Sequence, residues 1–183
     1  MKRVILPVLT IALLLSACQG AGSAEKRLDE ARESLAQAET ISFTAEVGAD
    51  LGDSRFEFTA ECSYADGETE VYITSPELIA GITAKMTEGH SEMEYDGLIL
   101  SLGDLVGTSI SPVSSIPIII NALLGGFASE VWSEGDFTAA RVYVDDSADA
   151  LIWLDAELTP VRGEIVAGGT AAAQCSITNF TVS

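Results

Sequence analysis

From Ile41 onward the chain alternates: Ile41, Phe43, Ala45 and Val47 are separated by Ser42, Thr44 and Glu46. The same beat returns in Phe56, Phe58, Ala60 and Cys62, interleaved with Glu57, Thr59 and Glu61. It continues through Val71 and Ile73, then Ile82, Ala84 and Met86, then Met93 and Tyr95. A period of two places the apolar residues on one side of an extended strand and the polar ones on the other. Between the runs stand Gly52-Asp53, Asp66-Gly67, Gly89-His90 and Asp96-Gly97, which carry hairpin chemistry. The expectation is an antiparallel meander with one apolar face and one wet, acidic face.

The meander is framed by two helical segments. Residues 24–40 (AEKRLDEARESLAQAET) are helix formers with Leu28, Ala31, Leu35 and Ala38 on one narrow apolar stripe. After the fifth strand, residues 103–117 are rich in Gly, Ser and Pro and lead into Ile118-Ile119-Ile120-Asn121-Ala122-Leu123-Leu124. Pro117 suits a helix start and Gly125-Gly126 a helix end. That helix is apolar on all sides and so calls for burial on all sides, while its length of roughly ten residues is far short of the ~20 a bilayer needs. Strands resume at 137–145, 151–155, 161–167 and 172–182. The order is helix, about five strands, apolar helix, about four strands. This is an α+β domain over 24–183 in which a curved antiparallel sheet keeps helices in its concavity; no internal repeat divides it.

Nine basic residues stand against 28 acidic ones. Such a surface repels nucleic acid and anionic headgroups, which excludes recognition through a basic patch. The acids are interleaved with regularly spaced Ile, Val, Leu and Phe, so they read as the solvated side of the sheet and not as disorder.

The first 17 residues form a leader: Lys2 and Arg3, a nearly unbroken apolar run from Val4 to Leu15, then small residues. Leu15-Ser16-Ala17-Cys18 resembles the bacterial lipobox. That resemblance implies cleavage before Cys18 and lipidation of its thiol, with residues 18–23 as a flexible stem. The expectation is a lipoprotein anchored on the extracytoplasmic face of the cell membrane, the outer membrane being one such site in a two-membrane host. Two cysteines then remain, Cys62 and Cys175, and two states are open to them. One is a disulfide closing a loop of about 113 residues, worth roughly 4 to 5 kcal/mol in the chain-entropy model. The other is a pair of buried free thiols.

Catalytic constellations are thin. The one histidine, His90, lies in Glu88-Gly89-His90-Ser91-Glu92, where neighbours in a turn do not set up nucleophile-to-base geometry, and no nucleophile elbow is present. Asp145, Asp146 and Asp149 are hard oxygen donors without the spacing of a calcium loop. No phosphate-cradling glycine loop occurs. The chain reads as a non-enzyme with no metal and no cofactor.

Apolar residues in the connections stand out instead: Leu78, Ile79 and Ile82 beside Pro76, and Ile116, Ile118, Ile119, Ile120, Leu123, Leu124 and Phe127 in the second connection. Two roles are open to them. They fill the concave face as core, or they line and gate a pocket for an apolar ligand.

Three stretches together resemble the LolA/LolB-like lipoprotein-carrier superfamily, with its LppX-type and RseB-type relatives. They are the first helix running into Ile41-Ser42-Phe43-Thr44-Ala45-Glu46-Val47, then Ser75-Pro76-Glu77-Leu78-Ile79-Ala80-Gly81-Ile82, and finally Leu151-Ile152-Trp153-Leu154-Asp155 with Leu158-Thr159-Pro160-Val161-Arg162, closing at Asn179-Phe180. The resemblance implies an unclosed half-barrel whose concave apolar face is partly plugged by helices and accepts acyl chains. The expected function is to hold a lipid, a lipoprotein acyl chain or another apolar ligand there, in transport or localisation. Leu78, Ile79, Ile82, Ile116, Ile119, Ile120, Leu123, Leu124 and Phe127 are the cavity candidates. The alternative is a protein-interaction or envelope-sensor module with a filled core and no ligand.

Overall fold

A computed structural model describes residues 19–51, 54–103 and 111–183. Helix α1 (Gln19–Leu35) leads into β1 (Ile41–Leu51), β2 (Ser54–Ala65), β3 (Glu68–Ser75), β4 (Thr83–Thr87), β5 (His90–Tyr95) and β6 (Leu98–Gly103). Helix α2 (Ser115–Gly125) follows, then β7 (Ala128–Glu134), β8 (Phe137–Asp145), β9 (Ala148–Leu154), β10 (Pro160–Ala167) and β11 (Thr170–Val182). The strands form one antiparallel sheet of eleven in the order β6-β5-β4-β3-β2-β1-β11-β10-β9-β8-β7. Its edges, β6 and β7, do not pair, so the half-barrel is unclosed, as the sequence leads one to expect.

Hairpin chemistry builds this order. At Asp66-Gly67 both turn residues have positive φ, 51° and 81°, the conformation that turns a chain back in two residues with the twist of its strands. The one non-sequential pairing joins the first strand to the last: Val47 faces Cys175 and Ala45 faces Ile177. Two meanders, β1–β6 and β7–β11, are thereby fused at the middle of the sheet.

The structure adds one strand to each meander. Both additions, β6 and β7, are edge strands. An edge strand has one neighbour and no fixed buried face, so its sequence need not alternate: β6 opens on Leu98-Ile99-Leu100, and β7 (ASEVWSE) is largely polar. At the N-terminus, the flexible stem expected over 18–23 is replaced by helix from Gln19. Ala24 is fully buried, so the turn around it is held by packing, and helix propagation carries Gly22 along on a side open to solvent. The helix ends at Leu35 and not near residue 40. Cys18 and the leader 1–17 lie outside the described residues, as does the Gly52-Asp53 turn. His90, expected in a turn, is the first residue of β5.

The two helices do not share the concave face evenly. Helix α2 packs on β8, β9, β10 and β11, and α1 lies against β7, β8 and α2. In α2, Ile116, Ile119, Ile120 and Leu123 are at most 2% exposed. Pro117 falls within its first turn, where a missing N–H forfeits no helical bond. Helix α1 is docked by two arginines. Arg32 donates to the carbonyls of Leu123, Ala122 and Gly126 at 2.9, 3.0 and 2.7 Å, capping the carboxyl end of α2. Arg27 donates to Thr138 Oγ1 and to the carbonyls of Asp155 and Ala156.

Candidate ligand cavity

The half of the concave face without a helix, formed by β2 to β5, encloses an apolar cavity of about 330 Å³. Its strand residues are Phe56 and Phe58 of β2, Ile73 of β3, Ala84 and Met86 of β4, and Ser91 and Met93 of β5. Ile79 closes it from the β3–β4 connection, and Ser111, Pro112 and Val113 from the segment before α2; Glu57 and Glu92 also border it. The cavity exists because of side-chain period: positions 56, 58, 73, 84, 86, 91 and 93 are the inward residues of neighbouring strands. Small Ala84 and slender Met86 leave space where larger residues would fill it. At about 330 Å³ it stands at the small end of the ~300–1,000 Å³ range of ligand sites, enough for one chain and not for a whole lipid.

Phe58, Ile73, Ala84, Met86 and Ser91 are all buried, whereas Phe56 is 45% exposed. The first group is the floor and Phe56 belongs to the mouth. One atom on that floor does not fit its surroundings. The Ser91 hydroxyl is wholly buried and, among the described residues, has no hydrogen-bond partner.

Of the nine residues expected to line a cavity, Ile79 alone borders this one. Ile116, Ile119, Ile120 and Leu123 are core, pressed between α2 and the β8–β11 half of the sheet. Leu124 and Ile82 are half-buried against that core, while Leu78 and Phe127 point to solvent at 88% and 74% exposure. Their placement has a plain cause. A helix apolar on every side contributes most by being enclosed, and α2 is enclosed between α1 and the β8–β11 half of the sheet. The residues that do line the cavity were visible as inward strand positions. What the sequence concealed was which half of the sheet α2 would cover.

Cys62 and Cys175 are buried and free. They sit on β2 and β11 with β1 between them, Cys62 opposite Phe43 and Cys175 opposite Val47. Two strand spacings already part them by roughly 9–10 Å across the sheet, and the four-residue offset from Phe43 to Val47 along β1 adds to that, beyond the ~7 Å between α-carbons that a disulfide tolerates. Burial pushes both thiols up, Cys175 to about 12, and for Cys62 the neighbouring Cys175 adds to the effect.

His90 and Ser91 occupy adjacent strand positions and therefore opposite faces. His90 is exposed with Nε2 3.0 Å from Glu92 Oε1, and Ser91 faces the cavity, so the two cannot act on one atom. Asp145, Asp146 and Asp149 accept hydrogen bonds from three different residues: Ser147, Tyr143 and Arg141. Hydrogen bonds from the Ser147 hydroxyl and amide hold the Asp145 carboxyl below its ordinary range. Among the described residues no group of three His, Cys, Asp or Glu side chains is placed to hold a metal ion.

Two of the roomier depressions, of about 570 and 470 Å³, lie on β1, β2 and β11. They are bordered largely by polar groups such as Glu46, Glu57, Thr59, Gln174 and Ser176 in one, and Ser42, Thr44, Glu61 and Asn179 in the other. They present carboxylates and hydroxyls that water already satisfies, so an apolar ligand gains little there.

No protein-family model and no curated protein matches the chain. Among solved structures, an uncharacterized conserved protein from Thermus thermophilus is similar at a TM-score of 0.51 and 12% identity, over 88% of this chain and 88% of that one. A LolA superfamily protein from Nitrosomonas europaea is similar at 0.49 and 9%, over 87% and 93%. The Mycobacterium tuberculosis lipoprotein LppX is similar at 0.43 and 11%, over 88% and 97%. LolA-superfamily proteins and LppX thus stand among its structural neighbours, and at these identities the likeness is one of fold: an unclosed antiparallel half-barrel with helices on its concave side.

Proposed function

We propose that the chain is a non-enzymatic envelope lipoprotein, tethered through Cys18 to the extracytoplasmic face of the cell membrane, that holds an apolar ligand beneath β2–β5. The single observation that carries this reading is the apolar cavity of about 330 Å³ left open beside a well-packed core. Its walls favour a lipid tail or the acyl chain of a lipoprotein, since each methylene buried contributes about 0.8 kcal/mol. The tether follows from the lipobox-like Leu15-Ser16-Ala17-Cys18. Native mass spectrometry of the chain, before and after organic extraction, tests the ligand. A bound acyl compound at near-unit stoichiometry supports the reading. An apo mass with no uptake of added lipid sinks it.

The second reading is a protein-interaction or sensor module. It is favoured by the carboxylates Glu46, Glu57, Glu61 and Glu70 that border the two polar depressions. A basic partner captured there would be released steeply by salt.

A further inference from the structure

The floor of the cavity has a polar atom that an alkyl chain alone leaves unpaired. Ser91 is 0% exposed and its hydroxyl has no partner among the described residues. Around it lie Ile73, Ala84, Met86 and Met93, none of which offers a side-chain hydrogen-bonding group of comparable strength. An orphaned buried hydroxyl is costly to keep, and alanine at that position would fill the same backbone site without the cost. Water is a poor remedy, because a buried water needs two to four polar partners and the floor supplies one.

We propose that the cavity takes an uncharged amphiphile, with a hydroxyl or carbonyl oxygen of the ligand hydrogen-bonded to Ser91 and its hydrocarbon filling the space between Ile73, Met86 and Met93. This rests on the cavity being a ligand site, as proposed above. The charge of the ligand follows from the border of the site. The ionisable residues of its described lining are Glu57 and Glu92, whose carboxyls pair with Arg55 and His90 on the outward side of their strands, and no lysine or arginine lines the interior. A carboxylate or phosphate head would give up its water there and find no cation in the lining to pair with. An alcohol, ester or similar neutral oxygen meets neither obstacle. A serine hydroxyl both donates and accepts, so it serves a carbonyl or a hydroxyl equally.

The test compares 1-decanol, decane and decanoate on the full chain, following the methyl resonances of Met86 and Met93, which account for two of the three methionines. The expected result is that decanol and decane both shift these methyls, with decanol binding about five- to tenfold more tightly and decanoate more weakly than decanol. Ser91→Ala is expected to reduce decanol to the affinity of decane, leave decane unchanged, and raise the unfolding temperature of the unliganded protein. Equal binding of decanol and decane to the native chain, or a preference for decanol that survives Ser91→Ala, overturns the role of Ser91 while the cavity remains a ligand site. If none of the three probes moves the Met86 and Met93 methyls, the ligand-site reading falls and this inference with it.

Discussion

The side chain of Ile119 occupies the space in which any residue other than glycine at position 163 would carry its β-carbon. That carbon would lie 2.6 to 2.9 Å from three atoms of Ile119. Gly163 is an inward position of β10, opposite Ile152 and Cys175, and it is the seat on which α2 rests against the sheet. The contact fixes how close the helix approaches β10.

Gly163→Ala is therefore expected to push Ile119 and α2 off the sheet and to cost about 1–3 kcal/mol, the usual range for overpacking a core. For a domain of this size that corresponds to a fall of several degrees in the thermal unfolding midpoint. A variant that unfolds at the native temperature would mean that the helix does not bear on β10.

Arg32 joins the two helices through three carbonyl acceptors at the carboxyl end of α2. Its partial burial pulls the guanidinium's pKa down, opposed by Asp29, but an arginine stays charged at any ordinary pH. Arg32→Ala leaves those carbonyls without their charged donor and is expected to cost about 1.5–3 kcal/mol. Amide exchange should rise first in α1 and in the last turn of α2, ahead of the sheet. Uniform acceleration across all strands would contradict a local clamp.

Ala84 is the small residue that keeps the cavity open. Ala84→Leu places three more carbons into that space, so ligand uptake should be lost. Stability should hold or rise by about 0.5–2 kcal/mol, as cavity-filling substitutions commonly do. Uptake and unfolding temperature measured on the same preparation separate the two effects. Undiminished uptake would place the ligand elsewhere.

The thiols of Cys62 and Cys175 should be inert to alkylation in the folded chain and react only on unfolding, because burial disfavours the thiolate. A pH consequence follows for Cys175, raised from an ordinary 9.0 to about 12 in the fold. Its contribution is fully present below pH 9, where both states keep the proton. As pH rises from 9 towards 12, the unfolded thiol ionises first and that contribution is lost, by about 1.4 kcal/mol per pH unit. Urea unfolding between pH 8 and 11 should show a shallower alkaline decline in Cys175→Ala than in the native chain. Identical slopes would refute the shift.

The nine central strands were legible because each has two neighbours and one buried face, which forces alternation in sequence. β6 and β7 escaped the same rule because an edge has neither. The cavity was half legible. Phe58, Ile73 and Met86 declare their face by period two, and Ser91 lies two residues before Met93 on the same inward face once β5 is known to begin at His90. Ile116, Ile119 and Leu123 announce a helix that must be enclosed, but nothing in their own spacing says against which strands. Gly163, some forty residues downstream, is where β10 leaves room for Ile119. The cysteines show the same limit: Cys62 and Cys175 share a face, and only the register through β1 tells that a strand stands between them.

The pairing of β1 with β11 also sets an order on synthesis. β1 is among the first strands made, yet one of its two edges stays unpaired until residues 170–182 exist. Everything between must be held in a chain whose central seam is still open. A polypeptide halted before that last strand possesses all the walls of the cavity and still exposes the backbone of β1 to whatever extended segment comes near. The thirteen residues of β11 thus act as the keystone of the arch, and their removal should turn a folded domain into one that seeks a strand from its neighbours.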